Sequence, residues 1–244
     1  MRLANLNLVD YRNVETARLS FESERIFFFG PNGQGKTNLL EAIGLGQALR
    51  SFRTSDARNL IRWDRPRAEI LFRFSGVATG EVEAFVALDR SGSKEVSIDG
   101  DKVTRLGDFM GRFPSVVFCS DDLRLPRGGP GDRRKFLDLA FSSSDADYLE
   151  SLRRYHKALR GRNALLRKNG EALELDAFER EMSVSAAHLV RVRTKALAAL
   201  GKCFANRYRT IGGGAEEPDL RYVADQEIEE AEEFARLLRD GRDR

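Results

Sequence analysis

Residues 26–49 read IFFFGPNGQGKTNLLEAIGLGQAL, and the fold depends on how this run is divided. Ile26–Phe29 is apolar and β-rich, so RIFFF (25–29) is expected to form a strand. From Thr37 to Leu49, the residues Leu39, Leu40, Ile43 and Leu45 make an apolar stripe at helical spacing. Between these runs, Gly30-x4-Gly35-Lys36-Thr37 fits the pattern Gly-x4-Gly-Lys-Ser/Thr. Four fixed positions match by chance in roughly one chain in a hundred of this size. A strand before the pattern and a helix after it is the arrangement that gives it meaning.

Each fixed position has a physical job. Glycines let the backbone N–H groups of Gly30, Pro31, Asn32, Gly33, Gln34 and Gly35 (proline excepted) turn inward around an anion. The following helix points its positive end at the same anion. Lys36 would bridge the β- and γ-phosphates of a nucleotide, and Thr37 would offer its hydroxyl to Mg²⁺. Asn38 continues the helix beside them. The plainer account is a glycine turn that only joins strand to helix.

Outward from this loop, LANLNLV, ARLSF, AEILFRF, VEAFVALD and KEVSIDG are β-rich runs. Ile98-Asp99-Gly100-Asp101 carries a turn signal. SVVFC (115–119) reads as a buried strand. A strand, a glycine loop, a helix and a meander make an α/β or α+β core. After Pro130, Asp132 can cap a helix through RRKFLDLAF. Leu149, Leu152, His156, Leu159, Asn163 and Leu166 then fall at spacings of three and four. Asn169-Gly170 supplies a stop. A second run holds Leu175, Phe178, Met182, Ser185, Leu189, Val192, Ala196, Ala199 and Cys203. Two such helices predict an antiparallel hairpin, with the second on the order of 50 Å long. Gly212–Gly214 end it, and LRYVA with an acidic helical pattern follows.

The chain has 244 residues, enough to bury a core. It is 41% hydrophobic and 32% charged, as a globular chain with a highly charged surface would be. Its 41 basic and 38 acidic residues leave a net charge of +3, but the signs are segregated. RRYHKALRGRNALLRK (153–168) is basic, and 216–233 is acidic. A solvated helix face accounts for such a basic run, and so does a surface that follows a DNA backbone. The candidates for the second account are Arg153, Arg154, Lys157, Arg160 and Arg162. Cys119 and Cys203 form neither a metal-ligand spacing nor a disulfide framework, so a reducing, cytoplasmic compartment is expected. The first residues do not read as a signal peptide. No run is long enough to span a membrane, and no membrane partner is expected.

Two further stretches admit a plain and a sharp reading. Arg12-Asn13, between the first two strands, is either an ordinary turn or a partner to nucleotide phosphates or base. Asp121 and Asp122 follow the SVVFC run. They either cap and turn the chain, or position Mg²⁺ or an attacking water. His156 and His188 read as packed or edge side chains.

Taken together, LVDYRNVE, GPNGQGKTNLLEAIGLGQALRSFRT, VVFCSDDLRLPRGGPGDRRKFLD and YHKALRGRNALLRK resemble the RecF family of bacterial recombination-repair ATPases. The resemblance implies an α/β fold: an ABC/SMC-type P-loop ATPase core, a mixed sheet around the phosphate-loop helix, with an α-helical hairpin lobe. It implies ATP and Mg²⁺ as cofactors, an ATP-dependent homodimer, and single-stranded and gapped double-stranded DNA as partners. RecR, acting with RecO, is the implied protein partner in loading recombinase. Arg12 and Asn13 are implied to lie near the nucleotide. Where the family commonly has Pro-Glu-Asp-Leu, this chain has Ser120-Asp121-Asp122-Leu123.

The expected division is 1–140 as the N-terminal part of the core, 141–211 as the hairpin lobe, and 212–244 as an incomplete return. After Gly214 there is no Leu-Ser-x-Gly-Gln segment and no apolar run ending in paired acids. On this reading the chain looks like the N-terminal two-thirds of a family member, and efficient hydrolysis is not expected of it. Two other readings stand beside it: a nucleotide-binding assembly module without turnover, and a P-loop small-molecule kinase.

Overall fold

The structure, a computed structural model, describes residues 1–76, 80–168, 171–214, 216–223 and 230–242. The chain forms two compact units, Met1–Arg133 and Arg134–Arg244.

The first unit is built on a six-stranded sheet. Its strands are β1 (Arg2–Tyr11), β2 (Val14–Ser20), β3 (Arg67–Gly76), β4 (Gly80–Asp89), β5 (Lys94–Ile98) and β6 (Asp101–Lys102). The order is β2-β1-β3-β4-β5-β6, and every described pairing is antiparallel. Alternation sets the register, because successive side chains point to opposite faces. Leu6 and Leu8 on β1, Ile70 and Phe72 on β3, and Ala84 and Val86 on β4 are wholly buried on one side. Leu6 stands opposite Phe72, and Phe72 opposite Ala84. The predicted turn at Asp99-Gly100 closes the β5–β6 hairpin. Both residues take positive φ, 51° and 86°, as a tight two-residue hairpin requires.

The helix α1 (Lys36–Ala48) covers that apolar face with Ala42, Leu45 and the following Leu49. Gly46 allows the close approach. A Cβ there would lie 3.3 Å from the ring of Phe72.

Two expected strands are absent. RIFFF and SVVFC have irregular backbone, and several of their side chains are open: Phe29 is 87%, Val116 96% and Phe118 82% exposed, while Phe28 packs against the core and Val117 lies near Gly44. A strand exists only through its neighbour's hydrogen bonds, and neither run has a strand beside it among the described residues. Apolar composition alone therefore predicted these two elements wrongly for this chain. In the 220–224 run, the described residues 220–223 are also irregular.

Short helices follow: α2 (Arg124–Arg127) and α3 (Pro130–Ser142). Asp132 lies inside the first turn of α3 rather than capping it. The helix starts at Pro130 because the missing N–H of proline is no loss in a first turn.

The second unit is dominated by α4 (Ala146–Leu166) and α5 (Ala172–Gly212), with α6 (Ala231–Asp240) packed on α5. Asp145 caps α4 by accepting hydrogen bonds from the amides of Asp147 and Tyr148, at 2.9 and 3.0 Å. The helix α5 has 41 residues, about 60 Å, and ends where Gly213 takes φ 72°. The predicted stop at Asn169-Gly170 lies outside the described residues.

The α5 seam follows the expected positions as far as Ala196, while Ala199 and Cys203 are exposed. The α4 seam runs one residue earlier than predicted over part of its length. Tyr155 and Arg162 turn inward, and His156 and Asn163 are exposed. The cause is polar: Arg162 reaches Glu179, a carboxylate 1% exposed on α5, at 2.9 Å. His156 is therefore not a seam residue.

The two helices come close at Gly161. A Cβ there would lie 2.4 Å from the Phe178 ring. Replacing Gly161 by alanine is expected to overpack this crossing and cost about 1–3 kcal/mol, read as a lower midpoint in urea unfolding followed by circular dichroism. An unchanged midpoint would mean that the crossing relaxes freely.

Candidate phosphate-binding site

The loop Gly30–Thr37 has the backbone that its glycines permit. Gly30, Gly33 and Gly35 take φ of 142°, 82° and 94°, a region that side-chain-bearing residues rarely enter. Gly35 is further confined, since a Cβ there would lie 2.9 Å from the Asn13 side chain. The first helical bond, from the Leu39 amide to the Gly35 carbonyl, is 3.0 Å. The first turn of α1 carries no acidic residue, so nothing there opposes an anion at the helix N-terminus. Lys36 Nζ donates to the carbonyls of Gly30 and Pro31 at 2.7 and 2.6 Å. The ammonium thus lies across the mouth of the loop. Thr37 is exposed next to it.

The turn between β1 and β2 is fastened to this loop. Asn13 Nδ2 donates to the Gly33 carbonyl at 2.9 Å, and Asn38 Nδ2 donates to Asn13 Oδ1 at 2.8 Å. Arg12 takes φ 54°, an uncommon left-handed value for a non-glycine residue. It is held there from two sides. Its amide donates to the Leu60 carbonyl at 2.8 Å. Its Nε and Nη2 fork onto Glu41 at 2.9 and 2.7 Å.

Glu41 has no exposed surface and gathers three donors: Arg12, the Ser51 hydroxyl and, at 3.4 Å, Arg53 Nη1. Hydrogen bonding to Glu41 raises the pKa of Arg12. Burial, and then the Glu41 charge, push the phenol of adjacent Tyr11 far above its ordinary value. Both groups therefore hold their usual protonation state at neutral pH.

The structure thus brings together the loop, Arg12, Asn13 and Asn38. It forms no hydrogen bond or ion pair from Asp121 or Asp122 to the loop among the described residues. Asp122 instead accepts the Cys119 amide at 2.7 Å, which is the capping account of that stretch. On α4, Arg153, Arg154, Lys157 and Arg160 are exposed. Arg153 lies 3.7 Å from Glu150, and Arg154 lies 2.8 Å from Glu181. Arg162 does not share that surface, being turned to Glu179 and to the Leu238 carbonyl at 2.8 Å.

Sequence reasoning missed Glu41, Ser51 and Arg53. The available signal was an acidic residue among the apolar positions of a short helix. The sequence does not reveal its partners, which come from two other loops.

No family model matches the chain. The chain is 34% identical over 227 residues to the DNA replication and repair protein RecF of Synechococcus sp., covering 91% of this chain and 60% of that protein. To the RecF of Geotalea daltonii it is 35% identical over an alignment of 246 residues, covering 98% and 66%. It superposes on a solved structure of the recombination mediator protein RecF with ATP, from the RecFOR pathway, with a TM-score of 0.87. That match is 26% identical and covers 98% of this chain and 67% of the other. The chain spans 60% and 66% of the lengths of these two curated relatives.

The geometry around Glu41 makes a stability prediction. Glu41→Ala leaves two guanidiniums without their buried carboxylate and is expected to destabilise the first unit by about 3–5 kcal/mol. Chemical denaturation of the variant against wild type measures this; a loss below about 1 kcal/mol would show that the cluster is solvated.

Proposed function

The chain belongs to the RecF family, and on that premise we propose that it binds ATP with Mg²⁺ on Gly30–Thr37 and engages DNA in replication and recombinational repair. The single observation that carries the first half is the loop itself. It has three positive-φ glycines, a lysine across its mouth and a helix N-terminus free of carboxylates. These groups fit a nucleotide triphosphate: backbone donors, one ammonium and one hydroxyl, with no competing anion.

On this reading Lys36 exchanges its two carbonyl partners for phosphate oxygens. Thr37 would hold the Mg²⁺, which neutralises phosphate charge when bound. Asn13 keeps the Gly33 carbonyl turned away from the anion by donating to it. ATP binding would favour pairing with a second copy of the chain, and the dimer would grip single-stranded or gapped DNA. RecR with RecO would be its partners in delivering recombinase.

For DNA, the exposed residues of α4 are the proposed contact. Arg153 and Arg154 stand near carboxylates of their own unit, whereas Lys157 and Arg160 have no such partner among the described residues. The second reading, a nucleotide-binding assembly module without turnover, is favoured by one observation. The carboxylate of Asp122, one of two candidates for work on water or metal, is committed to the Cys119 amide.

Lys36→Met is expected to abolish ATP binding in titration calorimetry, and with it the ATP-dependent retention of gapped DNA on a filter. A variant that retained DNA in ATP as well as wild type does would exclude nucleotide gating. A phosphate-release assay on the wild-type chain, with and without gapped DNA, separates the two readings. Lys157→Ala combined with Arg160→Ala is expected to weaken DNA binding and reduce the slope of log K against log salt by about 2. An unchanged slope would remove α4 from the DNA surface.

A further inference from the structure

Charge along α5 divides at one point. Residues 172–181 carry Glu174, Asp176, Glu179 and Glu181 against Arg180 alone. From Met182 to Gly214 there is no acidic residue, and the basic residues are Arg191, Arg193, Lys195, Lys202, Arg207 and Arg209. Arg193 is buried and bound to Asp138. The others are exposed. Arg191, Lys195, Lys202 and Arg209 follow one another at spacings of four, seven and seven residues. At 3.6 residues per turn they fall within about 40° of one another and form a single row about 27 Å long. Ala198 and Ala205 fill the gaps along it.

Helix stability does not account for this row. An exposed helix face gains from opposite charges three or four residues apart, and like charges at that spacing oppose it. Arg191 and Lys195 are such a like pair. The helix dipole favours cations only in the last turn, which includes Arg209 and not Lys202. Beyond the first three turns of α5, its ion pairs among the described residues are Arg193 with Asp138 and Arg209 with Glu217. Arg191, Lys195 and Lys202 are left uncompensated.

The member of the row that has a partner shows what the row accepts. After the turn at Gly213 and Gly214, both at positive φ, the chain runs back along α5. Glu216 accepts the Tyr208 hydroxyl. Glu217 accepts a fork from Arg209 Nε and Nη2 at 3.0 and 2.8 Å. A Cβ on Gly201 would lie 3.9 Å from Leu220, and the Tyr222 hydroxyl accepts from Arg193 at 3.3 Å. The Glu217 carboxylate thus sits on Arg209 as a phosphate would, with two oxygens on a planar fork. The two side chains are 44% and 73% exposed, so the pair is weak and open to exchange.

We propose that the row Arg191, Lys195, Lys202 and Arg209 is a track for the DNA phosphate backbone, and that Glu216 and Glu217 occupy its Arg209 end until DNA displaces them. This rests on the reading of the chain as one that engages DNA, and it adds a surface on α5 to the one on α4. A line of exposed cations matches a line of single negative charges, and contacts to phosphate carry no sequence information. The acidic segment acts as a competitor within the same chain. It covers one cation and shortens the track.

The test is fluorescence anisotropy of labelled gapped DNA titrated with the whole chain in Mg-ATP, over a series of salt concentrations. Lys195→Ala combined with Lys202→Ala is expected to weaken binding and reduce the slope of log K against log salt by about 2. Alanine favours helix, so these exposed substitutions leave α5 folded, which circular dichroism checks. Glu216→Gln combined with Glu217→Gln is expected to tighten binding and steepen the slope by about 1 as Arg209 joins the track. Adding Arg209→Ala to that variant is expected to remove the gain. An unchanged slope in the lysine variant, with wild type binding DNA, would overturn the track and leave α4 as the DNA surface. Unchanged binding in the glutamine variant would overturn the competitor role. Failure of wild type to bind gapped DNA would overturn the DNA reading and this one with it.

Discussion

The buried carboxylate of Glu41 is the interaction on which the rest of the first unit's functional end depends. It lies on α1, wholly shielded from solvent, and is reached by Arg12 from the β1–β2 turn and by Ser51 and Arg53 from the segment after α1. A buried charge is tolerated only when paired and hydrogen-bonded. That requirement pulls two separate stretches onto one helix. Arg12 holds its left-handed backbone because its fork is bound there, and Asn13, next in sequence, is thereby aimed at Gly33 and packed on Gly35. The shape of the glycine loop is thus maintained by residues that no loop motif contains.

The second unit repeats the same physical solution with different residues. Glu179, buried on α5, takes Arg162 from α4 and Arg242 from beyond α6. Burial alone would raise its pKa, but hydrogen bonds from the two arginines outweigh burial and the net shift is downward. Further along α5, Arg193 binds Asp138 at 2.6 Å and the Tyr148 hydroxyl at 2.9 Å. The Tyr148 phenol is itself pushed up by burial and then by Asp138. These clusters tie α3, α4 and α5 at chosen heights. Leucine seams alone allow sliding, whereas a buried ion pair is satisfied at one register.

The α4 seam shows why this was not legible in advance. Spacings of three and four select a face only to within about one residue. The reading through His156 and Asn163 and the observed face through Tyr155 and Arg162 differ by that one step. An arginine in a seam looks like an error until its carboxylate is found 17 residues away on the facing helix. The same holds for RIFFF and SVVFC. Their composition satisfies every local criterion for a strand, but a strand is a property of a pair, and no neighbour is present among the described residues.

What the sequence determined by itself is whatever depends on local chemistry. The spacing of Gly30, Gly35, Lys36 and Thr37, the alternation along β1, β3 and β4, the Asp99-Gly100 turn and the two long helices are all carried by residues close together in the chain. Their backbone preferences act over a few positions; the strands, the turn and the two long helices were correctly expected, whereas the strand expected in front of the phosphate loop did not form. What only the tertiary structure decided is which polar groups meet: Glu41 with Arg12, Ser51 and Arg53, and Glu179 with Arg162 and Arg242. Such pairings are chosen by the cost of leaving any one of these charges buried alone, and that cost exists only once the helices and turns have closed around them.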